Sequence, residues 1–159
     1  MKELLPIYTE RLMIIETSKD DIDLILKMDK QEVTQRYLGG VKNKSREERL
    51  EFLSRKKNSL TVLYNNNRIG FVGLKINEDI AEISYIFDYD YVGRGYCSEV
   101  VKVLVDIAFN KLNLNKVYAY TKNENIASIK VLTKNGFIKK DSNDEDFIYY
   151  EIERGMLWK

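Results

Sequence analysis

Gly93 and Gly95, separated by Arg94, follow an apolar run at residues 81–87 and an acidic-aromatic corner at residues 88–92. Directly after them Val100, Val101, Leu104, Ile107 and Ala108 recur at spacings of three and four, which predicts a helix. A strand that turns through glycines into a helix leaves N–H groups unpaired at the helix start. With the positive end of the helix dipole, those groups form an anion site suited to phosphate. Glycine at both positions lets the anion reach the main chain with no Cβ in the way. Two nucleotide loops are alternatives. A P-loop needs Lys and then Ser or Thr after its last glycine, and here Gly95 precedes Tyr96-Cys97. A dinucleotide loop needs a third glycine where this chain has Ser98. A plain strand-to-helix connection is the remaining reading.

The chain has no histidine and one cysteine, Cys97. It therefore makes no internal disulfide, no Cys/His zinc site, and no Ser-His-Asp or Cys-His nucleophile. Proton transfer falls to carboxylates, tyrosines, lysines or water. A thiol at a helix start can have a lowered pKa, but without a histidine partner Cys97 reads as a small packing residue.

The pattern around the glycines resembles the GNAT superfamily of acyl-CoA-dependent N-acetyltransferases, whose pyrophosphate loop reads Gln/Arg-x-x-Gly-x-Gly/Ala. Gly93 and Gly95 match the two small positions, and Asp90 stands where the family most often has Gln or Arg. The run Asp88-Tyr89-Asp90-Tyr91-Val92-Gly93-Arg94-Gly95-Tyr96 is similar to the branch that acetylates ribosomal-protein N-termini. Thr9-Glu10-Arg11-Leu12 resembles the opening strand of that branch. Asn125-Ile126-Ala127-Ser128, running to Lys134-Asn135-Gly136-Phe137, resembles its last helix. The resemblance covers nearly the whole chain and implies a GNAT fold: a mixed α/β domain with a splayed, mostly antiparallel sheet flanked by helices on both faces.

It also implies a co-substrate, acetyl-CoA, and an amine acceptor. Main-chain groups of Ile86, Phe87 and Asp88 would contact pantetheine and the acetyl group, and the N–H groups from Gly93 through Arg94, Gly95 and Tyr96 to Cys97 would hold the pyrophosphate. Asn125, a helix cap by type, would lie beside the pantetheine arm. Glu82 is the candidate base, directly or through a water; its other reading is a surface or salt-bridged sheet residue. Ser128 is a candidate partner of the leaving thiol and otherwise a first-turn helix serine. Arg36 and Tyr37 would line the acceptor pocket. Tyr85 reads as pocket wall or core, with a general acid as its other reading. The side chains of Arg94 and of Lys130 or Lys134 are further candidates for CoA phosphates, and otherwise plain solvated charges. Many members carry a tyrosine acid four residues before the Gly-Phe pair, where this chain has Leu132. The leaving thiolate would then take its proton from water or another group. The acceptor is expected to be a protein N-terminus, with a small amine (polyamine, amino acid or aminoglycoside) as the alternative. A non-catalytic acyl-CoA-binding module is the other class of reading.

The rest of the chain must position these groups. Its 159 residues suit one domain, residues 1–159. A formal charge of +1, from 26 basic and 25 acidic residues, gives no electrostatic reason to expect nucleic acid or an anionic membrane as partner. No apolar run approaches the roughly 18–20 residues that span a bilayer, so a cytoplasmic monomer or homodimer without metal is expected. Strands are predicted at 11–16, 60–64, 68–75, 81–87, 116–120, 137–140 and 147–153. Helices are predicted from 18 to about 29, from 46 to 57, from about 97 to 112 and from 126 to 135. A short turn is expected around residues 33–38, and an acidic loop at 141–146.

Overall fold

The structure, a computed structural model, describes residues 1–156. Contacts gather into two units that interleave in the sequence. One comprises Met1–Gly73 with Tyr85–Tyr96, the other Leu74–Ser84 with the chain from Cys97 onward. Among the described residues, eight strands form a sheet in the order β1-β2-β3-β4-β5-β6-β8-β7. The family's mixed α/β arrangement is the one observed.

In the first unit, β1 (Ile7–Tyr8) pairs antiparallel with β2 (Leu12–Glu16), and β2 pairs with β3 (Ser59–Tyr64). The two-residue β1 was not foreseen, because a single apolar-polar alternation after Pro6 is too short to register as a strand. Asn65 and Asn66, both at positive φ, turn β3 into β4 (Asn67–Asn77). That conformation is one asparagine tolerates, and it suits a tight hairpin. The first helix begins with a 3-10 turn, Lys19–Asp21. Ser18 accepts from the Asp20 N–H, and the Asp21 carboxylate accepts from the Ser18 N–H at 2.7 Å. Helix α1 (Ile22–Asp29) follows, then the single-turn α2 (Glu32–Gln35), then α3 (Arg46–Arg55), which opens with the expected Ser45/Glu48 capping box.

Helix α1 buries Ile22, Leu24, Ile25 and Met28 with Leu53 of α3 and Phe71 of β4. Removing side chains of this size from water stabilises by about 1.5–3 kcal/mol each. Asp29 is 2% exposed, and Arg49 grips it with two hydrogen bonds, Nε to Oδ2 at 2.7 Å and Nη2 to Oδ1 at 2.5 Å. This fork ties α1 to α3 with a charge that burial alone would not tolerate. The chain then returns as the second half of β5 (Ile80–Phe87). Gly70 of β4 makes that return possible: a Cβ there would lie 2.8 Å from the Ile86 carbonyl and 2.8 Å from the Phe87 ring.

In the second unit, β5 pairs parallel with β6 (Lys116–Lys122) through Ile80–Lys116, Ala81–Val117 and Glu82–Tyr118. Strand β6 pairs antiparallel with β8 (Phe147–Glu153), which pairs with β7 (Ile138–Lys140). Helix α4 (Tyr96–Asn110) buries Val100, Val101, Leu104, Val105, Ala108 and Phe109. Helix α5 (Ile126–Lys134) is capped by Asn125, whose Oδ1 accepts from the Ser128 N–H, and ends at Gly136 with φ +85°. That ending is the left-handed stop the sequence predicts. Period-two burial gives β6 two unlike faces. Val117, Ala119 and Thr121 are buried, while Tyr118 and Lys122 are half-buried and Tyr120 is exposed.

Candidate active site

The glycine turn is built from the end of β5 outward. Asp88 follows the strand, is 1% exposed, and has both main-chain groups paired. Its N–H donates to the Ile69 carbonyl at 2.8 Å, and its carbonyl accepts from the Tyr91 N–H. Its carboxylate accepts from Lys27 Nζ at 2.7 Å, from Gln31 Nε2 at 2.7 Å and from the Asp90 N–H at 3.1 Å. Burial by itself would raise this carboxyl's pKa. The donors at Lys27 and Gln31 and the Asp90 amide overcome that and hold it below the ordinary carboxylate range. The Asp88 N–H is engaged by the Ile69 carbonyl, so of its two main-chain groups only the carbonyl, with its second lone pair, is left to meet a ligand, while its carboxylate anchors the turn.

Lys27 also meets Asp90 Oδ2 at 2.7 Å. The aspartate that replaces the family's usual Gln or Arg therefore has a partner on α1, and the hydrogen bonds that Lys27 donates to Asp88 and to Asp90 push its pKa upward. A 3-10 turn, Tyr89–Tyr91, then leads to Gly93 (φ +78°) and Gly95 (φ +82°). Both are exposed, and a Cβ at Gly93 would meet nothing within 4 Å. The turn is open, not sealed by side chains.

Arg11 supports it from β2's edge. Its Nη1 donates to the Arg94 carbonyl at 3.0 Å, and its guanidinium lies 4.6 Å from the centre of the Tyr96 ring. Tyr96 is buried against Tyr64, with ring centres 4.9 Å apart. Sequence reasoning singled out Arg11 only as part of an opening-strand motif. Its long-range role lies 83 residues away, beyond any local pattern. The Arg94 side chain reaches back over Tyr91, 5.7 Å from its ring centre. Cys97 is half-buried, and burial pushes its thiol pKa up, so the thiol is a packing group without thiolate character.

Phe87 is buried and Ile86 half-buried against the α1–α3 core. The Thr34 hydroxyl lies 3.5 Å from the Phe87 carbonyl, and Arg36, exposed, and Tyr37, half-buried, follow α2. Tyr85 is half-buried in β5. Lys130 and Lys134 are exposed on α5. Asn125 and Ser128 sit together at the start of α5.

Glu82, half-buried, stands beside Tyr118 in the β5–β6 register. Burial and the Glu82 charge raise the Tyr118 phenol. Tyr118, Tyr120 and Tyr149 form one aromatic patch, with ring centres 5.2–5.9 Å apart. Tyr149 donates from its hydroxyl to Glu151 Oε2 at 3.0 Å, and Lys116 Nζ reaches the same carboxylate at 3.0 Å. Next to the patch lies an open cavity of about 680 Å³, lined by Tyr120, Tyr149, Phe147, Asp141 and Asp144 with Ser142 and Asn143. Among the described residues no group of three or more His, Cys, Asp or Glu is placed to hold a metal ion. None of their helices is long and apolar enough to cross a membrane.

The family model of the acetyltransferase (GNAT) domain matches residues 11–138, from Arg11 to the start of β7. The chain belongs to the GNAT family. Among curated GNAT relatives, the uncharacterized N-acetyltransferase p20 of Bacillus licheniformis is 38% identical over 77 residues, which is 48% of this chain and 41% of that protein. The chain spans less than half the length of the first curated relatives it matches. Two GNAT structures from Vibrio cholerae share the fold. One is a spermidine N-acetyltransferase in complex with CoA and spermine, with TM-score 0.79, 20% identity, and 94% of this chain and 99% of that one covered. The other carries the name "putative ribosomal-protein-serine acetyltransferase", with TM-score 0.81, 16% identity, and coverage of 96% and 99%.

Proposed function

We propose that this GNAT domain transfers an acetyl group from acetyl-CoA to a primary amine by direct attack in a ternary complex. The observation that carries this reading is the open turn at Gly93 and Gly95, with both glycines at positive φ at the start of a 15-residue helix. The first N–H groups of such a helix lack intrahelical partners, and with the dipole they favour a diphosphate. The residues fit CoA on this ground: room at Gly93, a buried Asp88 holding the turn from below, and Arg11 fixing the Arg94 carbonyl.

In this reading the N–H groups of Gly93 to Cys97 hold the pyrophosphate, and main-chain groups of Ile86 and Phe87 meet pantetheine. Asn125 contacts the same arm. Acetyl-CoA supplies an activated thioester, so that a C–N bond to the amine forms as the C–S bond breaks. An alkylammonium has a pKa near ~10.4 and must lose a proton before it attacks. Glu82 accepts that proton, directly or through a water. The absence of a tyrosine at Leu132 leaves the departing sulfur to be protonated by water, with Ser128 as a hydrogen-bond partner.

Two acceptors are in view. The motif resemblance, and the fold shared with a structure named for ribosomal-protein-serine acetylation, support a protein N-terminus. The aromatic and acidic cavity beside Tyr120 favours a small cationic amine, and we adopt this second reading. Release of CoA thiol from acetyl-CoA across a panel of amines and N-terminal peptides tests the activity. Calorimetry with CoA, ATP and NAD tests the loop. Tight CoA binding with no turnover on any amine would leave a non-catalytic acyl-CoA module, and preference for ATP or NAD would remove the assignment.

A further inference from the structure

Glu82, Tyr118 and Glu151 form one row across β5, β6 and β8: Glu82 is in register with Tyr118, and Tyr118 with Glu151. Side chains in register on neighbouring strands stand on the same face. The two carboxylates of the row are not equivalent. Glu151 is buried and held by Lys116 Nζ and by the Tyr149 hydroxyl, each at 3.0 Å. Burial by itself would raise its pKa; those two donors, with the charge of Lys140, overcome that and hold it below the ordinary carboxylate range. The Glu82 carboxylate has no hydrogen bond or ion pair among the described residues. Of the other cations on this face, Lys122 lies over the Phe147 ring, and Lys140 is exposed in register with Tyr149.

Tyr118 stands between the two carboxylates. Its ring packs against Tyr120 and Tyr149, with centres 5.9 and 5.6 Å away, and its hydroxyl has no hydrogen-bond partner among the described residues. Burial and the Glu82 charge raise the phenol's pKa, which keeps the hydroxyl protonated and therefore a donor. The pairing of β5 with β6 also ends at this row. Ile83 and Ser84 have no partner on β6, although β6 runs on to Lys122. Neighbouring strands lie about 4.8 Å apart, and two hydrogen bonds to one bridging atom span roughly 5–6 Å. A carboxylate and a hydroxyl that face each other across this spacing without bonding suit a single water between them.

We infer that Tyr118 is a positioning residue for proton removal from the acceptor amine, holding the water through which that proton reaches Glu82. This role depends on the acetyltransferase reading, with Glu82 as base. The Tyr118 hydroxyl donates to the water oxygen, and the water donates one hydrogen to the Glu82 carboxylate. A lone pair of the water then faces the ammonium. An ammonium N–H bond breaks as an O–H bond forms on the water, and the water's own hydrogen moves to Glu82, which later releases it to solvent. The amine keeps its electron pair for the thioester carbon, and Tyr118 keeps its proton throughout. Tyr118 stands on β6, not at the α5 position of the family's tyrosine acid, and it protonates no sulfur.

Tyr118→Phe removes one oxygen atom that makes no bond within the described fold, so the melting temperature should stay the same. With putrescine or a peptide N-terminus, whichever turns over faster, kcat should fall about tenfold, the worth of roughly one hydrogen bond, at unchanged CoA affinity. The fall should disappear in the Glu82→Gln background, because a residue that acts through Glu82 has nothing left to act on. The deficit in kcat/KM should also shrink as pH rises through the amine's own pKa, ~10.4 for an alkylamine and ~7.7–8.0 for an N-terminus, where proton removal is no longer needed. The same fall in both backgrounds, or a deficit that ignores pH, overturns the role of Tyr118. Full activity in Tyr118→Phe overturns it too, and leaves the acetyltransferase reading standing when Glu82→Gln is impaired. No turnover on any amine removes that reading and the role of Tyr118 together.

Discussion

Lys27 Nζ and Asp88 Oδ2 are 2.7 Å apart across 61 residues of sequence, joining the exposed side of α1 to the buried end of β5. Through this contact a surface lysine sets the height of the turn that begins at Gly93. Removing the buried carboxylate leaves Gln31, Lys27 and the Asp90 amide without their shared acceptor. Asp88→Ala is expected to destabilise the fold by about 2 kcal/mol and to weaken CoA binding as the turn loosens. Denaturant unfolding and calorimetry read the two effects; an unchanged midpoint would show that the network contributes nothing.

The same pair sets a pH dependence. Asp88 has a lowered folded pKa, so its contribution is complete above the ordinary carboxylate pKa of ~3.9 and is lost as pH falls through the folded value. Lys27 has a raised one, so its share is complete below ~10.4 and lost only as pH climbs through the higher folded value. Lys27→Met removes the principal donor that depresses Asp88. Its acid-unfolding midpoint should therefore move to higher pH than that of the unaltered chain, followed by circular dichroism.

Gly95 has φ +82° and faces Arg11 Nη2 at 3.4 Å from a built Cβ. Valine there is strained and places a branched side chain where an anion must approach. Gly95→Val should weaken CoA by roughly tenfold or more, the equivalent of one lost charge-assisted hydrogen bond. Retained CoA affinity in a folded variant would count against the loop.

Glu82→Gln keeps the shape of the side chain and removes its basicity. With Glu82 as base, kcat should fall about 10²–10³-fold while calorimetric CoA affinity stays the same. A loss below twofold would return Glu82 to the role of a sheet residue beside Tyr118.

Gly70→Ala is a purely structural test. The added methyl meets the Ile86 carbonyl and the Phe87 ring at 2.8 Å, and overpacking of this kind costs about 1–3 kcal/mol. A midpoint equal to that of the unaltered chain would mean that β4 and β5 can separate without loss.

Much of this molecule was legible in one dimension. Local rules act within four residues, so the Ser45/Glu48 box, the asparagine hairpin, the Asn125 cap and the Gly136 stop all stand where side-chain chemistry puts them. The glycine turn was readable for the same reason. The strand β1 was not, since two residues carry no period, and neither was the start of the first helix as a 3-10 turn.

Sequence alone determined the order of the longer elements, the positive-φ turn before α4 and the lack of histidine chemistry, because each depends on residue type and short spacing. Only the tertiary structure decided that Asp88 is an internal anchor and that Arg11 braces the loop. It alone brought Tyr120, Tyr149 and the acidic loop around one cavity on the Glu82 face. The reason is physical: hydrogen bonds and ring contacts between residues distant in sequence depend on strand register and helix docking, which no local pattern encodes.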